Sequence, residues 1–375
     1  MKSDRVIKFL IVSILILSSI INSISAISNN EKSIQQIEII VGPYPQNANT
    51  DFIEIIWETN EKTTKNEVHW GLTLDLGNIS SELYKDTLLN QNLHIVNLDG
   101  LSSSTKYYYK VISDSFESEI YSFYTSFERN NTVRFITYGD TRGVWNNWQH
   151  ASIVANKIEE YKPQFVLHTG DIVKDGKNKS QWVDFFSISQ FVHNSTLYPV
   201  LGNHEYHGIS YFIYFSLPHN ERWYSFDNGP VHFVGLDSNP RNALKLSQLI
   251  WLIKDLKTNK QPFTIVFFHH PLYSSGNHGS TLYLRLLWRP IFTHFNVDIV
   301  FNGHDHSYER GRVKGVNYIV TGGGGAPLYN VGESWWTIYS EKTYHYCMIS
   351  ANQSKLTFQS IKPDGSIIDS FVISK

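Results

Sequence analysis

Five short stretches of this chain each end a hydrophobic run with a residue able to hold a metal ion. They are Gly139-Asp140, Gly170-Asp171, Gly202-Asn203-His204-Glu205, His269 within Phe267-Phe268-His269-His270-Pro271, and Gly303-His304-Asp305-His306. Carboxylate, amide oxygen and imidazole in one set suit divalent ions of intermediate softness. Two such ions roughly 3.5–4 Å apart clamp the attacking and leaving oxygens of a phosphoryl transfer, and a carboxylate can bridge them. The stretches supply two aspartates, one asparagine and three histidines, with Asp171 central in order and so the natural bridge. One such aspartate alone would more often be a loop or cap residue. Five strand-terminal sites together are a stronger signal.

The runs that lead into these residues are strand-like: Val133 to Tyr138, Phe165 to Leu167, Leu197 to Leu201, Phe263 to Phe268 and Val297 to Phe301. In open α/β sheets ligands sit just beyond the carboxyl ends of strands, so five such ends can meet in one crevice. Between them lie helical segments. Leu246, Leu249, Ile250, Ile253 and Leu256 follow helical spacing, and Trp148 to Tyr161 and Leu282 to Phe295 read the same way. Trp223 to Asp227 and Val231 to Asp237 predict a hairpin, and β pattern returns at Tyr318–Thr321, Tyr344–Ala351, Lys355–Lys362 and Ile367–Ile373. The expected architecture is α/β, with two mixed sheets face to face and helices outside. Before it, from about Gln35 to Phe127, the pattern is all-β. Ile53, Ile55 and Trp57 alternate with Glu54 and Glu58, and Glu67–Trp70, Leu93–Leu98, Lys106–Ser113 and Ile120–Thr125 read as further strands. A polar link, Glu128 to Thr132, joins this module to a second domain over 132–375.

A chain of 375 residues with 41% hydrophobic and 18% charged side chains suits two globular domains and excludes general disorder. Residues 1–26 read as a secretory signal: Lys2, Arg5 and Lys8 precede the apolar run Phe9 to Ile21, and Ala26 ends a plausible cleavage site. The alternative is an uncleaved N-terminal membrane anchor. Without that segment 29 basic side chains face 33 acidic ones, a surface with no general attraction for nucleic acid. Cys347 is the single cysteine, so the chain cannot form an internal disulfide. Gly322 to Gly325 lacks the following Lys-Ser/Thr of a nucleotide P-loop, and His204-Glu205-Tyr206-His207 lacks zinc-protease spacing.

The segment Gly303-His304-Asp305-His306-Ser307-Tyr308-Glu309-Arg310 resembles the GHxHxYER stretch of the purple acid phosphatases, and His269-His270-Pro271-Leu272-Tyr273 resembles their histidine-x-Pro-x-Tyr stretch. Gly100-Leu101 to Tyr107 resembles the corner of fibronectin type III domains, with Trp57 as the core tryptophan. The chain thus resembles calcineurin-type metallophosphoesterases with an N-terminal fibronectin-like domain. That resemblance implies a four-layer catalytic sandwich preceded by an all-β sandwich. It also implies one ion held by Asp140, Asp171 and His306, and another by Asp171, Asn203, His269 and His304. His204 resembles the family's histidine beside the metals, and Asn277-His278 its substrate-side histidine. Arg142 is a candidate to hold a phosphate oxygen, an exposed salt bridge being the alternative. Two positions depart from the family. Lys174 stands where a tyrosine ligand is expected, which leaves the ions open among iron, zinc and manganese. Gly279 stands where another histidine is common.

The expected function is an exported, two-metal phosphatase that hydrolyses phosphate monoesters of small substrates by attack of a metal-bound hydroxide. His204 and His278 are its candidate acid or phosphate-binding groups. A phosphodiesterase or nucleotidase on the same scaffold is the alternative. A non-catalytic surface-binding protein is a third reading, which the full ligand set disfavours.

Overall fold

The computed structural model describes residues 36–81, 92–205 and 208–375, so the expected signal segment lies outside the described residues. Eight strands come first: β1 (Ile39–Gln46), β2 (Phe52–Thr59), β3 (Asn66–Gly71), β4 (Asn78–Ser81), β5 (Asn92–Asp99), β6 (Lys106–Ser113), β7 (Phe116–Glu117) and β8 (Tyr121–Tyr124). They form two sheets, β1-β2-β5 and β4-β3-β6-β7 with β8 beside β6. The alternation of Ile53, Ile55 and Trp57 turns all three into a shared core with Val68, Val96, Tyr109 and Phe123. Tyr107 lies across the corner after Gly100, its hydroxyl accepting the Ser102 N–H at 2.9 Å.

The remaining strands are β9 (Val133–Tyr138), β10 (Phe165–His168), β11 (Thr196–Pro199), β12 (Tyr224–Asn228), β13 (Val231–Gly235), β14 (Phe263–Phe267), β15 (Ile299–Asn302), β16 (Tyr308–Val313), β17 (Val316–Thr321), β18 (Thr337–Glu341), β19 (Tyr346–Ala351), β20 (Lys355–Ile361) and β21 (Ile367–Ser374). One sheet runs β11-β10-β9-β19-β20-β21 and the other β12-β13-β14-β15-β17-β16-β18. Each is mixed. β9, β10 and β11 are parallel, as are β13, β14, β15 and β17, while the outer strands are antiparallel. The central strands β10, β14 and β15 are buried at every residue, which explains their unbroken apolar runs. Between the sheets the rings of Phe135 and Phe165 both meet the edge of Phe233, at 5.1 and 5.3 Å between centroids. The expected α/β architecture of two facing mixed sheets is what the chain adopts.

The helix Gln149–Tyr161 buries Ala151, Val154, Ala155 and Ile158 at the spacing expected of a one-sided helix. The helix Lys179–Ile188, which the apolar pattern had not marked, is capped by the Asn178 side chain and buries Trp182, Phe185 and Phe186. The helix Leu246–Thr258 buries Leu252 and Leu256 but leaves Leu246, Ile250 and Ile253 in solvent, so its apolar stripe is wider than its buried one.

The N-terminal sheets pack against this scaffold as one body of core. Val41, Tyr44, Ile56 and Leu93 share a cluster with Trp182, Phe186 and Tyr214. The Tyr44 hydroxyl donates to the Tyr214 carbonyl at 2.6 Å, and the Tyr109 hydroxyl to the His193 carbonyl at 2.8 Å. Buried Glu58 takes Lys179 Nζ at 2.5 Å and the Tyr214 hydroxyl at 3.0 Å. No helix among the described residues is long and apolar enough to cross a membrane.

Candidate metal centre

The loops that follow β9, β10, β11, β14 and β15 meet at one end of the two sheets, and each carries one of the expected residues. Their closeness is backbone work. Gly170 adopts φ +93°, and a Cβ on it would stand 2.7 Å from the Gly202 nitrogen and 3.0 Å from His269 Nδ1. A Cβ on Gly202 would stand 2.1 Å from Asp171 Oδ1. Only glycine lets these two turns approach. Asp140 and Asp171 themselves sit at φ +59° and +55°, and His304 at +73°. Such conformations in non-glycine residues gather where a site dictates side-chain direction.

Three donor atoms gather round His269 Nε2. His269 Nε2 lies 3.1 Å from Asn203 Oδ1, 3.2 Å from His304 Nδ1 and 3.4 Å from Asp171 Oδ1. Donors about 2.1 Å from a common ion stand roughly 3.0–3.4 Å apart, so each of these contacts with His269 Nε2 has the spacing of two donors on one ion. Asp140, Asp171 and His269 on one side, and His269, His270 and His304 on the other, each bring their donor atoms within 4.8 Å of one another. On the other side of Asp171, His306 Nε2 lies 3.5 Å from Asp140 Oδ1. His269 donates from Nδ1 to the Thr169 carbonyl at 2.9 Å and His306 from Nδ1 to the Pro327 carbonyl at 2.7 Å, which turns each Nε2 inward. Metal-ligating histidines are held this way by their far nitrogen.

The chemistry of the set fits two cations. Asp140 Oδ1 and Asp171 Oδ2 are buried and have no hydrogen-bond partner. A buried carboxylate oxygen left so is costly unless a cation satisfies it. Burial would raise Asp171, but His269, Arg142 and His204 hold it well below the usual carboxylate range. Burial pulls His269 down, yet Asp171 and Asp140 outweigh it and push it up to about 9. The same anionic field that favours a proton there favours a metal ion. Burial and the neighbouring His269, His270 and His278 keep His304 far below imidazole's ordinary value, so its lone pair stays available.

The flanking candidates separate into two groups. Arg142 is 5% exposed, which rules out an exposed salt bridge. Its Nε lies 3.4 Å from Asp171 Oδ2, its Nη2 2.5 Å from His306 Nε2, and its Nη1 contacts His204 Nε2. His204 donates from Nδ1 to the Lys174 carbonyl at 2.5 Å and presents Nε2 to the crevice, 3.9 Å from Asp171 Oδ2. The Lys174 side chain is exposed, with its ammonium 4.9 Å from the centroid of the Trp145 ring. On the opposite side His278 is exposed and stacks on His304, 4.2 Å between centroids. His270 bonds Ser238 Oγ through Nδ1 at 2.9 Å, its ring lies 4.6 Å from that of His304, and it brings a nitrogen within 4.8 Å of the donor atoms of His269 and His304.

Three residues of structural weight had no signal in the motif spacing. Glu205 is wholly buried, and accepts N–H bonds from Asp171 (2.8 Å), Gly202 (3.0 Å) and Val173 (3.0 Å), tying two ligand loops together. Burial and the Asp171 charge push it up to about 8, although three donated N–H bonds favour its ionised form. His168, kept neutral by burial and by His269, accepts the Gly170 N–H at 3.1 Å and supports the same turn. Asp305 is the third. Cavities of about 530 and 320 Å³ elsewhere at the domain junction include none of these residues.

A family model for calcineurin-like phosphoesterases matches residues 110–308. Models for the purple acid phosphatase N-terminal domain and for the iron/zinc purple acid phosphatase-like C-terminal region match 41–125 and 315–370. The chain belongs to the calcineurin-like phosphoesterase family, and within it to the purple acid phosphatase type. Its fold and family make it a phosphatase. It is 27% identical to a phosphoenolpyruvate phosphatase of Allium cepa, over 81% of this chain and 68% of that protein. It is also 27% identical to a purple acid phosphatase of Glycine max, over 78% and 69%. A solved purple acid phosphatase from yellow lupin seeds shares the fold at TM-score 0.74 and 21% identity, covering 88% of this chain and 74% of that one.

Proposed function

We propose that this protein is an exported, metal-dependent phosphomonoesterase. The observation that carries the reading is the pair of buried carboxylate oxygens without a hydrogen bond, Asp140 Oδ1 and Asp171 Oδ2, beside His269 Nε2, which has three further donor atoms 3.1–3.4 Å away. Asp140, Asp171 and His306 would hold a first ion, and Asp171, Asn203, His269 and His304 a second, with Asp171 bridging. Bound there, the ions lower the pKa of a coordinated water and neutralise the phosphate oxygens. The rest of the work falls to side chains. Arg142 offers its guanidinium to a phosphate oxygen beside the first position. His204 presents Nε2 on the same flank and, when protonated there, hydrogen-bonds the phosphate as its charge builds. His278 stands on the solvent side of His304, where it can protonate the departing alkoxide. Small phosphorylated molecules are the proposed substrates. The N-terminal domain, which we place at 35–127 ahead of a catalytic domain at 132–375, supplies none of the proposed ligands and frames the other domain.

The deciding experiment compares p-nitrophenyl phosphate with its bis(p-nitrophenyl) diester, using chelated protein reloaded with zinc, manganese, iron or mixed pairs. Metal-dependent turnover that favours the monoester is expected. Preference for the diester would move the protein to the phosphodiesterases, and chelator-insensitive background rates would end the enzymatic reading of this site.

A further inference from the structure

The turn between β15 and β16 carries one acidic residue that the metal centre does not use. Asp305 stands between His304 and His306 and is wholly buried, and its carboxylate bonds the 274–279 loop. Oδ1 accepts the His278 N–H at 2.7 Å. Oδ2 accepts the Ser274 hydroxyl at 2.5 Å and the Gly279 N–H at 3.2 Å. Among the described residues it forms no ion pair, so these donors are what make its burial tolerable. The loop closes tightly around it: a Cβ on Gly276 would lie 2.5 Å from Asp305 Cγ. A second buried carboxylate on β16, Glu309, accepts the Ser275 N–H at 2.6 Å and the Ser275 hydroxyl at 2.8 Å.

The consequence concerns His278. Its ring is exposed, and among the described residues its nitrogens have no side-chain hydrogen bond to orient them. It meets the Tyr329 ring edge-on at 5.3 Å, and the hydrogen bonds that hold it over the His304 ring are those of its own loop's backbone. We propose that Asp305 is a positioning residue for catalysis: it fastens the 274–280 loop to the turn that carries His304 and His306, and thereby holds His278 where the leaving group departs. This rests on the role given to His278 above. The charge matters as much as the shape, because a carboxylate accepts three donors at once, whereas an amide in its place must aim an NH₂ at one of them.

The test uses the full-length, metal-loaded protein, with Asp305→Asn, His278→Ala and the double variant. Asp305→Asn should keep its metal content. It should exchange the His278 and Gly279 amide hydrogens at least about tenfold faster. It should lower kcat on an alkyl phosphate by about 10- to 100-fold, the usual scale for a residue that orients another in a metal site, with a smaller loss on the nitrophenyl ester. In the His278→Ala background the same substitution should change kcat by less than about twofold, as for residues acting through one another. Ser274→Ala, which removes one donor, should shift exchange and rate in the same direction to a lesser degree and covers the case of a poorly folding Asp305→Asn. Loss of metal along with activity, unchanged amide exchange, or a full additional loss in the His278→Ala background would overturn the proposal. A fully active His278→Ala enzyme would remove the role of His278 and the proposal with it, while wild-type turnover would leave the phosphatase reading standing.

Discussion

The two flanks of the crevice are built on opposite electrostatic plans. Around Asp140, Asp171 and His306 stands Arg142, with Lys174 nearby on Trp145. Around Asn203, His269 and His304, among the described residues, stand the imidazoles of His270 and His278, with His270 held down to about 3 by burial and His269 and so neutral. One side has three proposed donors and two cationic neighbours. The other has four proposed donors and imidazole neighbours. A divalent ion meets repulsion on the first side and complementary lone pairs on the second, so the second position should bind more tightly and the first should exchange more readily. Lys174 sharpens this contrast, since an ammonium neither ligates a metal nor supplies the phenolate expected at its position.

The largest effect should come from the residue the flanks share. Asp171→Ala should abolish both bound ions and lower kcat roughly 10³-fold or more, because groups that act as one unit fail together. Metal analysis of the purified variant checks it, and retention of either ion at full occupancy would break the bridging assignment. Asn203→Ala should come next, with most of kcat lost, about 10²-fold, and the fold intact. Its metal content should fall on the second side alone. Near-normal turnover in a folded, metal-loaded Asn203→Ala protein would refute the four-donor position and with it the asymmetry.

How far this was legible in the sequence follows from the same contrast. Asp140, Asp171, Asn203, His269 and His304 were visible because each ends an apolar run, and parallel strands buried on both faces write such runs plainly. Glu205 and Asp305 were not, because their carboxylates serve backbone N–H groups of other loops, and no spacing in one dimension encodes that. Arg142 read equally well as a phosphate clamp or a surface ion pair until its burial decided against the second. Strands β16 and β18 were missed because they lie at or beside the antiparallel edge and carry Glu309, Arg310 and Glu341, charges that interrupt the apolar pattern. The helix Lys179–Ile188 had a signal in Asn178 and in the spacing of Trp182, Phe185 and Phe186, but it lies close to the Lys174–Lys179 polar run that reads as loop.

A smaller effect on turnover, but an informative one, is expected of Lys174→Tyr. The wild-type protein loaded with iron should show no intense visible charge-transfer band, because residue 174 is a lysine and supplies no phenolate to the first position. The variant should gain that band and hold its first ion more tightly in competition with a chelator, by roughly the 10- to 100-fold typical of adjusting a metal's surroundings. A strong band in the wild type would contradict the weak-flank account. An uncoloured variant with both ions bound would show that residue 174 points away from the metals and would end the weak-flank account.

The smallest effect tests whether the asymmetry belongs to the crevice alone. Remote from it, on β13, His232 bonds Asp227 at 2.6 Å and Asp255 at 2.8 Å. Burial pulls its pKa down, but these two carboxylates outweigh burial and push it up to about 9. Because the folded value lies above an unfolded value near 6.5, the stabilisation is fully present below about pH 6.5 and lost as pH rises through 9, and it amounts to no more than about 3 kcal/mol. His232→Gln should therefore lower Tm clearly at pH 6 and hardly at all at pH 10, with metal content and turnover unchanged at either pH. A Tm difference that persists at pH 10 would mean that packing on β13, not the charged pair, stabilises this end of the sheet. A change in metal content would mean that the two flanks sense charge well beyond their own loops.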